Sequence, residues 1–389
     1  MLLCYIDQKV SRMNRQNDAR GYRKFAGRCL GRTALAGALG LFAGLAGAHA
    51  EAPLVVTTIK PLHSIAAAVM DGVGSPEVLI DGASSPHGFA LKPSQAGLLQ
   101  KADAVFWIGA ELAPSLEKPI DTMASNATVV ELMDADGILQ LDLREGANFD
   151  AHDHGHGHGH GHGHEGHEHE HESADAADAD DHDHDHEDHD DHDGHDEHAE
   201  HAEHAEHGGE HEHHHHGDEK DAHIWLNPDN GVAIANVMAE TLSELDPDHS
   251  AQYRENADAF AQKIKKLDSS IAEELSPLAD KGFIVFHDAY HHFEHHYGIE
   301  ASGAITLSPE LLASADRVSE VQSRVQNSGI TCVFQEPQFD SKLVAVVLEG
   351  SSARKGTLDP LGTELENGPD LYPALLQNLA DNMSDCLKD

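Results

Sequence analysis

The stretch LVVTTIKPLHSIAAAVM, residues 54–70, determines the fold class, because an apolar strand pattern passes directly into a helical one. LVVTTI (54–59) is predicted to be a strand, and LHSIAAAVM (62–70) has the apolar spacing of a helix. The alternation continues to residue 145, with strands predicted at 77–80, 104–109 and 128–132 and helices at 94–101 and 114–123. Strands that alternate with helices indicate a parallel sheet with right-handed crossovers.

The second half of the chain repeats this alternation. Strands are predicted at 283–286, 303–307, 332–336 and 354–359, and helices at 289–298, 310–328, 340–350 and 370–382. A helix at 229–245 and a longer one at 248–278 lie between the halves. About 28 helical residues would extend about 42 Å, which is more than one lobe needs. The sequence therefore predicts two lobes of parallel-sheet α/β type joined by a long helix.

The first fifty residues have the composition of an export signal. Basic residues precede the apolar run 33–47, and Ala48-His49-Ala50 follows it as a small-x-small cleavage site. The basic residues are Arg23, Lys24, Arg28 and Arg32. We expect cleavage after Ala50 and a periplasmic location, with an uncleaved anchor as the alternative. The start of translation could be Met1 or Met13.

The formal charge of −44 is concentrated in one segment. Residues 151–219 contain 25 Asp or Glu, 25 His and no Lys or Arg, so 44 acidic and 25 basic residues remain elsewhere, a net of −19. Such acidity argues against a nucleic-acid partner. The low-complexity insert 148–221 cannot bury enough apolar surface to fold, so we predict disorder. Its histidines indicate a weak, multi-site zinc trap, and a solvated tether is the alternative.

Two cysteines, Cys332 and Cys386, would remain after cleavage. In an oxidising compartment such a pair predicts one disulfide, and two unrelated buried thiols are the alternative. The bond would close a loop of about 55 residues and stabilise the fold by about 4 kcal/mol in the chain-entropy description.

Three histidines are predicted to lie where a strand ends and a loop or helix begins. They are His87 in SSPHGFALKPS, His223 in AHIWLNP and His287 in FIVFHDAY. A single histidine at such a place is more often a hydrogen-bonded structural residue. Three of them at strand ends, where open α/β sheets bind ligands, favour a metal site.

Several segments resemble the metal-binding solute receptors of ABC transporters, and specifically their zinc branch of the ZnuA type. These segments are TTIKPLHSIAAAVM, GASSPHGFALKPSQAGLLQKADAVFWIG, HIWLNP, GFIVFHDAYHHFEHHYG, TCVFQEPQF and GTLDPLG. They cover most of residues 54–386 outside the insert, in the order of the family. The resemblance implies a metal in the cleft between the lobes, with His87 and His223 from the first lobe and His287 from the second.

The fourth ligand position differs among members of that family. Some have a Glu directly before the first histidine, where this chain has Pro86, which has no donor atom. Others use an Asp from the segment that matches GTLDPLG, which is Asp359 here. We expect Asp359 as the fourth ligand, with water as the second choice. Asp359 could instead cap the turn before Pro360.

The ligand set favours zinc. Three imidazoles and one oxygen suit tetrahedral Zn²⁺, whereas the manganese branch of the family places a carboxylate at the third position. The histidines at 291, 292, 295 and 296 form two further pairs spaced i, i+4, but without a third ligand a solvated helix face is the favoured interpretation.

These observations predict a monomeric periplasmic receptor, not an enzyme, that delivers Zn²⁺ as cargo to the membrane permease of an ABC transporter. The predicted parts are a signal peptide (1–50), an N-terminal lobe in two pieces (51–147 and 222–246), the insert (148–221), a linking helix (247–278) and a C-terminal lobe (279–389). One alternative is a periplasmic zinc buffer or chaperone that acts through the insert. Another is a zinc hydrolase, although no general base is evident in the sequence.

Overall fold

The computed structural model describes residues 52–144, 149, 219–306, 309 and 313–388. These residues belong to one compact unit, Glu51–Asp389. The predicted signal peptide and nearly all of the predicted insert lie outside the described residues. No helix in the described part of the chain is long and apolar enough to cross a membrane.

The N-terminal half contains a four-stranded parallel sheet in the order β2-β1-β3-β4. Its strands are β1 (Val55–Ile59), β2 (Glu77–Ile80), β3 (Ala104–Trp107) and β4 (Thr128–Glu131). They are connected by α1 (Lys60–Val69), α2 (Pro93–Leu99) and α3 (Pro114–Met123). The central strands β1 and β3 are buried at every position, as expected for a sheet covered on both faces.

The C-terminal half contains a second parallel sheet, in the order β6-β5-β7-β8. Its strands are β5 (Gly282–His287), β6 (Ala304–Thr306), β7 (Ile330–Gln335) and β8 (Arg354–Thr357). The later helices are α6 (His291–Tyr297), α7 (Ala315–Asn327), α8 (Lys342–Leu348) and α9 (Leu371–Leu387). Gly298, with φ of 65°, ends α6 where the sequence predicted. The predicted fold class is confirmed.

Along the chain, two helices lie between the strands of the first sheet and those of the second, α4 (Pro228–Leu245) and α5 (Ser250–Leu275). The side chain of Asn227 caps α4 by accepting a hydrogen bond from Asp229 N at 2.9 Å. Helix α5 has 26 residues, and short 3-10 turns flank it. It contacts the N-terminal half through Asn256, which donates to Val69 O, and the C-terminal half through Glu274, which pairs with Lys388. The long helix therefore contacts both halves.

The last helix is longer than predicted. The sequence predicted an end at residue 382, but α9 continues to Leu387. The added turn is stable because Met383 and Leu387 are buried and because Cys386 forms a disulfide with Cys332 of β7. The predicted disulfide is thus present.

A buried contact joins the two halves beside the cleft. The Tyr372 hydroxyl donates to Trp225 O at 2.7 Å, and Trp225 Nε1 donates to Pro360 O at 2.8 Å. Gly231 of α4 permits this packing, because a Cβ there would lie 2.1 Å from the Tyr372 hydroxyl oxygen. Lys60 adds two further bonds, to Thr363 O and Leu365 O.

Candidate metal centre

His287 is the last residue of β5, and its ring is oriented by a carboxylate from the neighbouring strand. Glu336 follows β7 directly, and its Oε1 lies 2.7 Å from His287 Nδ1. Both side chains are buried. With Nδ1 held by the carboxylate, Nε2 is the nitrogen that remains for a metal.

His223 has the same arrangement in the N-terminal half. It immediately precedes the short 3-10 helix Ile224–Leu226 that leads into α4. Asp221 Oδ1 lies 2.7 Å from His223 Nδ1 and also accepts a hydrogen bond from His223 N at 3.0 Å. This contact again leaves Nε2 available as the metal-binding nitrogen.

His87 lies in the loop between β2 and α2 and completes a three-histidine cluster. Its Nε2 is 3.3 Å from His223 Nε2. The ring centroids are 5.3 Å apart for His87 and His223, 5.9 Å for His87 and His287, and 5.4 Å for His223 and His287. Potential ligand atoms of all three lie within 4.8 Å of one another, and no other group of this kind occurs among the described residues.

The spacing of the two closest nitrogens suits zinc. Two ligands of a tetrahedral Zn²⁺, each about 2.0–2.1 Å from the metal, are about 3.3–3.4 Å apart. The 3.3 Å between His87 Nε2 and His223 Nε2 matches this value. Trp225, Phe339 and Leu361 also line the pocket and provide apolar walls around the imidazoles.

The environment favours a neutral His87 and a more basic His287. Burial, reinforced by His223 and His287, lowers the pKa of His87 to about 2. For His287, burial alone would lower the pKa, but the Glu336 carboxylate outweighs it, so the pKa is raised above the usual 6.5. His87 is therefore ready to bind a cation, whereas a proton on His287 would compete with it.

Asp359 does not join the three histidines. Its carboxylate accepts hydrogen bonds from Leu361 N, Gly362 N, and the N and Oγ1 of Thr363, as well as from Gln338 Nε2. Both oxygens are thus engaged in the turn after β8, which corresponds to the alternative turn-capping interpretation.

The solvated-face interpretation of the α6 histidines is wrong for His292. This side chain is fully buried, and its Nε2 lies 3.2 Å from Asp221 O. His296 Nε2 lies 2.8 Å from Asp268 Oδ1 of α5, whereas His295 is exposed. Helix α6 packs against neighbouring segments through His292 and His296, which the i, i+4 spacing alone did not reveal.

Glu336 and Asp221 were missed as partners of the cluster, although signals for both are present in the sequence. Glu336 is the last residue of one predicted strand and His287 directly follows another, and neighbouring parallel strands end at the same edge of a sheet. Asp221 stands two residues before a predicted ligand, a spacing that allows a side chain to bond the following backbone.

Sequence comparison relates the chain to zinc-uptake proteins. The family described as "ZnuA: Zinc-uptake complex component A periplasmic" matches residues 55–386. A relative from Brucella abortus (strain 2308), named high-affinity zinc uptake system protein ZnuA, is 49% identical over 333 residues, covering 86% of this chain and 91% of the relative. A protein of the same name from Paracoccus denitrificans is 39% identical, covering 87% and 93%.

Solved structures show the same fold at low sequence identity. A crystal structure of ZnuA has a TM-score of 0.62 at 20% identity and covers 87% of this chain and 100% of its own. The periplasmic zinc-binding protein TroA from Treponema pallidum has a TM-score of 0.61 at 16% identity, covering 87% and 99%.

Proposed function

Because the chain belongs to the ZnuA family of periplasmic zinc-uptake components, we propose that it captures Zn²⁺ at His87, His223 and His287 and delivers it to an ABC-type permease. The observation that supports this best is the convergence of the three imidazoles, whose ligand atoms lie within 4.8 Å of one another. In this proposal zinc is the cargo of the protein.

The fourth zinc ligand in this proposal is water. The Asp359 oxygens accept hydrogen bonds from the turn Leu361–Thr363, so moving the carboxylate to the metal would break several of them. Pro86, which also lines the pocket, has no donor atom. A three-nitrogen set with one open position is compatible with tetrahedral zinc.

The location and state of the protein follow from the same proposal. The mature chain begins after Ala50, resides in the periplasm and acts as a monomer without catalysing a reaction. The Cys332–Cys386 disulfide supports export, because such bonds persist in oxidising compartments.

The proposal is tested by zinc binding and zinc import together. Purified protein is titrated with Zn²⁺ against a competing chelator, and its gene is expressed in a strain whose own periplasmic zinc receptor has been deleted. We expect one tight site and restored growth when zinc is scarce, both lost when His87 and His287 are replaced by alanine. Growth restored equally by this double variant would contradict delivery from the histidine site.

A further inference from the structure

Arg144 is a mostly buried cation close to the predicted insert. It lies four residues before residue 148, where the predicted insert begins, and its side chain is 11% exposed. Its guanidinium forms hydrogen bonds with both oxygens of Asp288 and pairs with Glu294 Oε2 at 2.7 Å. Its other face lies 3.7 Å from the centre of the Phe149 ring. A planar guanidinium with partners on several sides is fixed in position more strictly than the cation of a surface ion pair.

Both acidic partners belong to the segment that carries His287. Asp288 is the next residue after His287, and its side chain is 6% exposed. Glu294 lies on α6, is 2% exposed and also accepts a hydrogen bond from Ala301 N at 3.0 Å. Arg144 therefore holds the short segment that leaves β5 immediately after the candidate ligand.

The backbone just before Arg144 is joined to the segment that carries His223. Leu143 N donates to Glu219 O at 3.0 Å, and Asp221 N donates to Leu141 O at 2.9 Å. Asp142 and Lys220 face each other in the same antiparallel pairing and form an ion pair. Asp221, which orients His223, is thus itself part of this pairing.

We propose that Arg144 is a positioning residue that sets the distance between His223 and His287, and so slows the release of zinc. The residues just before Arg144 pair with the segment that leads to His223. The Arg144 side chain binds Asp288, the residue after His287. The inference rests on the proposed zinc-binding function, because it assigns to these two histidines a shared metal.

The charges of Arg144, Asp288 and Glu294 limit which substitutions can test this role. Removing only the guanidinium would leave two carboxylates buried without a counter-ion, which strongly destabilises a fold. Arg144→Lys retains the positive charge but lacks the guanidinium geometry that allows hydrogen bonds to both carboxylates. The combination Arg144→Met, Asp288→Asn and Glu294→Gln removes all three charges at similar volume. Lys263→Met is the matched control, because it breaks an exposed ion pair between α5 and Asp370, and neither residue lines the pocket of the histidines.

The experiment loads the full-length protein with one equivalent of Zn²⁺ and follows the slowest phase of release into excess chelator by stopped flow. We expect release about tenfold or more faster in Arg144→Lys and in the triple variant, in the range seen when groups that orient metal ligands are removed. Lys263→Met should release zinc at the wild-type rate. Co²⁺ bound in place of zinc should show an altered visible spectrum in the Arg144 variants only, a change that lower stability alone would not cause.

Two results would overturn the inference. One is an unchanged release rate and Co²⁺ spectrum in both Arg144 variants, while the wild type still binds zinc tightly; the proposed function would then stand without this role for Arg144. The other is equal acceleration by Lys263→Met, which would indicate general loosening. Failure of the wild type to bind zinc tightly would instead refute the proposed function.

Discussion

Glu336 determines which nitrogen His287 presents to the cleft. Replacing it by glutamine keeps an oxygen that can accept from Nδ1 but removes the charge that makes the imidazole a stronger ligand. We expect Glu336→Gln to weaken zinc binding by about 10- to 100-fold at pH 7.5, measured by chelator competition. The exposed Glu300→Gln provides the same change of charge and should leave the affinity unchanged.

The three histidines and Asp359 should behave differently when replaced. Alanine at His87, His223 or His287 removes one zinc–nitrogen bond, so each variant should lose about 100-fold or more in affinity, beyond the loss expected for a residue that only orients a ligand. Asp359→Asn should retain the affinity, since the carboxylate bonds to its own turn. Calorimetry distinguishes these outcomes, and wild-type affinity in all three alanine variants would refute the site.

Zinc affinity should depend on pH mainly through His287. Its pKa is raised by Glu336, and zinc needs the neutral ring, so affinity falls as the pH falls through that raised value. His87, with a pKa of about 2, adds no competition near neutrality. Below the His287 pKa we expect about a tenfold loss per pH unit. An affinity that is constant between about pH 7.5 and 5.5 would contradict a histidine site.

In the metal-free protein, the raised pKa of His287 makes the stability of the fold depend on pH in the direction opposite to zinc affinity. Protonation of His287 beside Glu336 stabilises the fold fully below the unfolded-state pKa of about 6.5, and this contribution is lost as the pH rises through the folded-state value. Zinc binding and fold stability should therefore separate when each is titrated against pH.

At the scale of the elements, the sequence predicted strands and helices best where apolar runs are short and clearly bounded. Strand β2 and helix α3 have the predicted limits, Glu77–Ile80 and Pro114–Met123. Helix α9 was predicted too short because Asp381, Asn382 and Asp385 interrupt its apolar pattern. Only the packing of its other face against the core shows why the helix continues.

The disulfide should stabilise the C-terminal half without affecting zinc. It joins β7 to α9 over 54 residues, so Cys332→Ala with Cys386→Ala should lower the free energy of unfolding by about 4 kcal/mol. Denaturant titration measures this loss, and zinc affinity serves as the control because neither cysteine lines the pocket. Protein purified from the periplasm should contain no free thiol, and two thiols titrated after denaturation would contradict the bond.

At the scale of the whole molecule, the candidate metal centre depends on residues that the sequence separates widely. The prediction of strand ends was right for His287 but wrong for His87, which lies in the loop after β2, and for His223, which precedes a 3-10 helix; the family resemblance pointed to all three. Arg144 could not be predicted, because its acidic partners lie 144 and 150 residues further along the chain. Contacts of this kind follow from how the two halves pack, which no local pattern encodes.

The insert should add weak zinc sites that the tight site does not need. If it has the disorder that its composition predicts, each cluster must order part of the chain to bind, which lowers its affinity, although tethering raises the local zinc concentration near the cleft. Deleting residues 151–218 and joining the ends with a short Gly-Ser linker keeps the Leu143–Glu219 pairing. Calorimetry should then show fewer zinc ions bound and one tight site retained. Loss of tight binding by a folded deletion variant would favour the buffer interpretation.

The division of the three histidines between the halves has a consequence for unloading. Two of them, His87 and His223, come from the N-terminal half, and His287 comes from the other. In the proposed function, separating the halves would convert a tridentate chelate into a bidentate one, which holds the ion far less firmly. A permease that opens the cleft by a small distance would thus need to break only one zinc–nitrogen bond before water and its own ligands could take the ion.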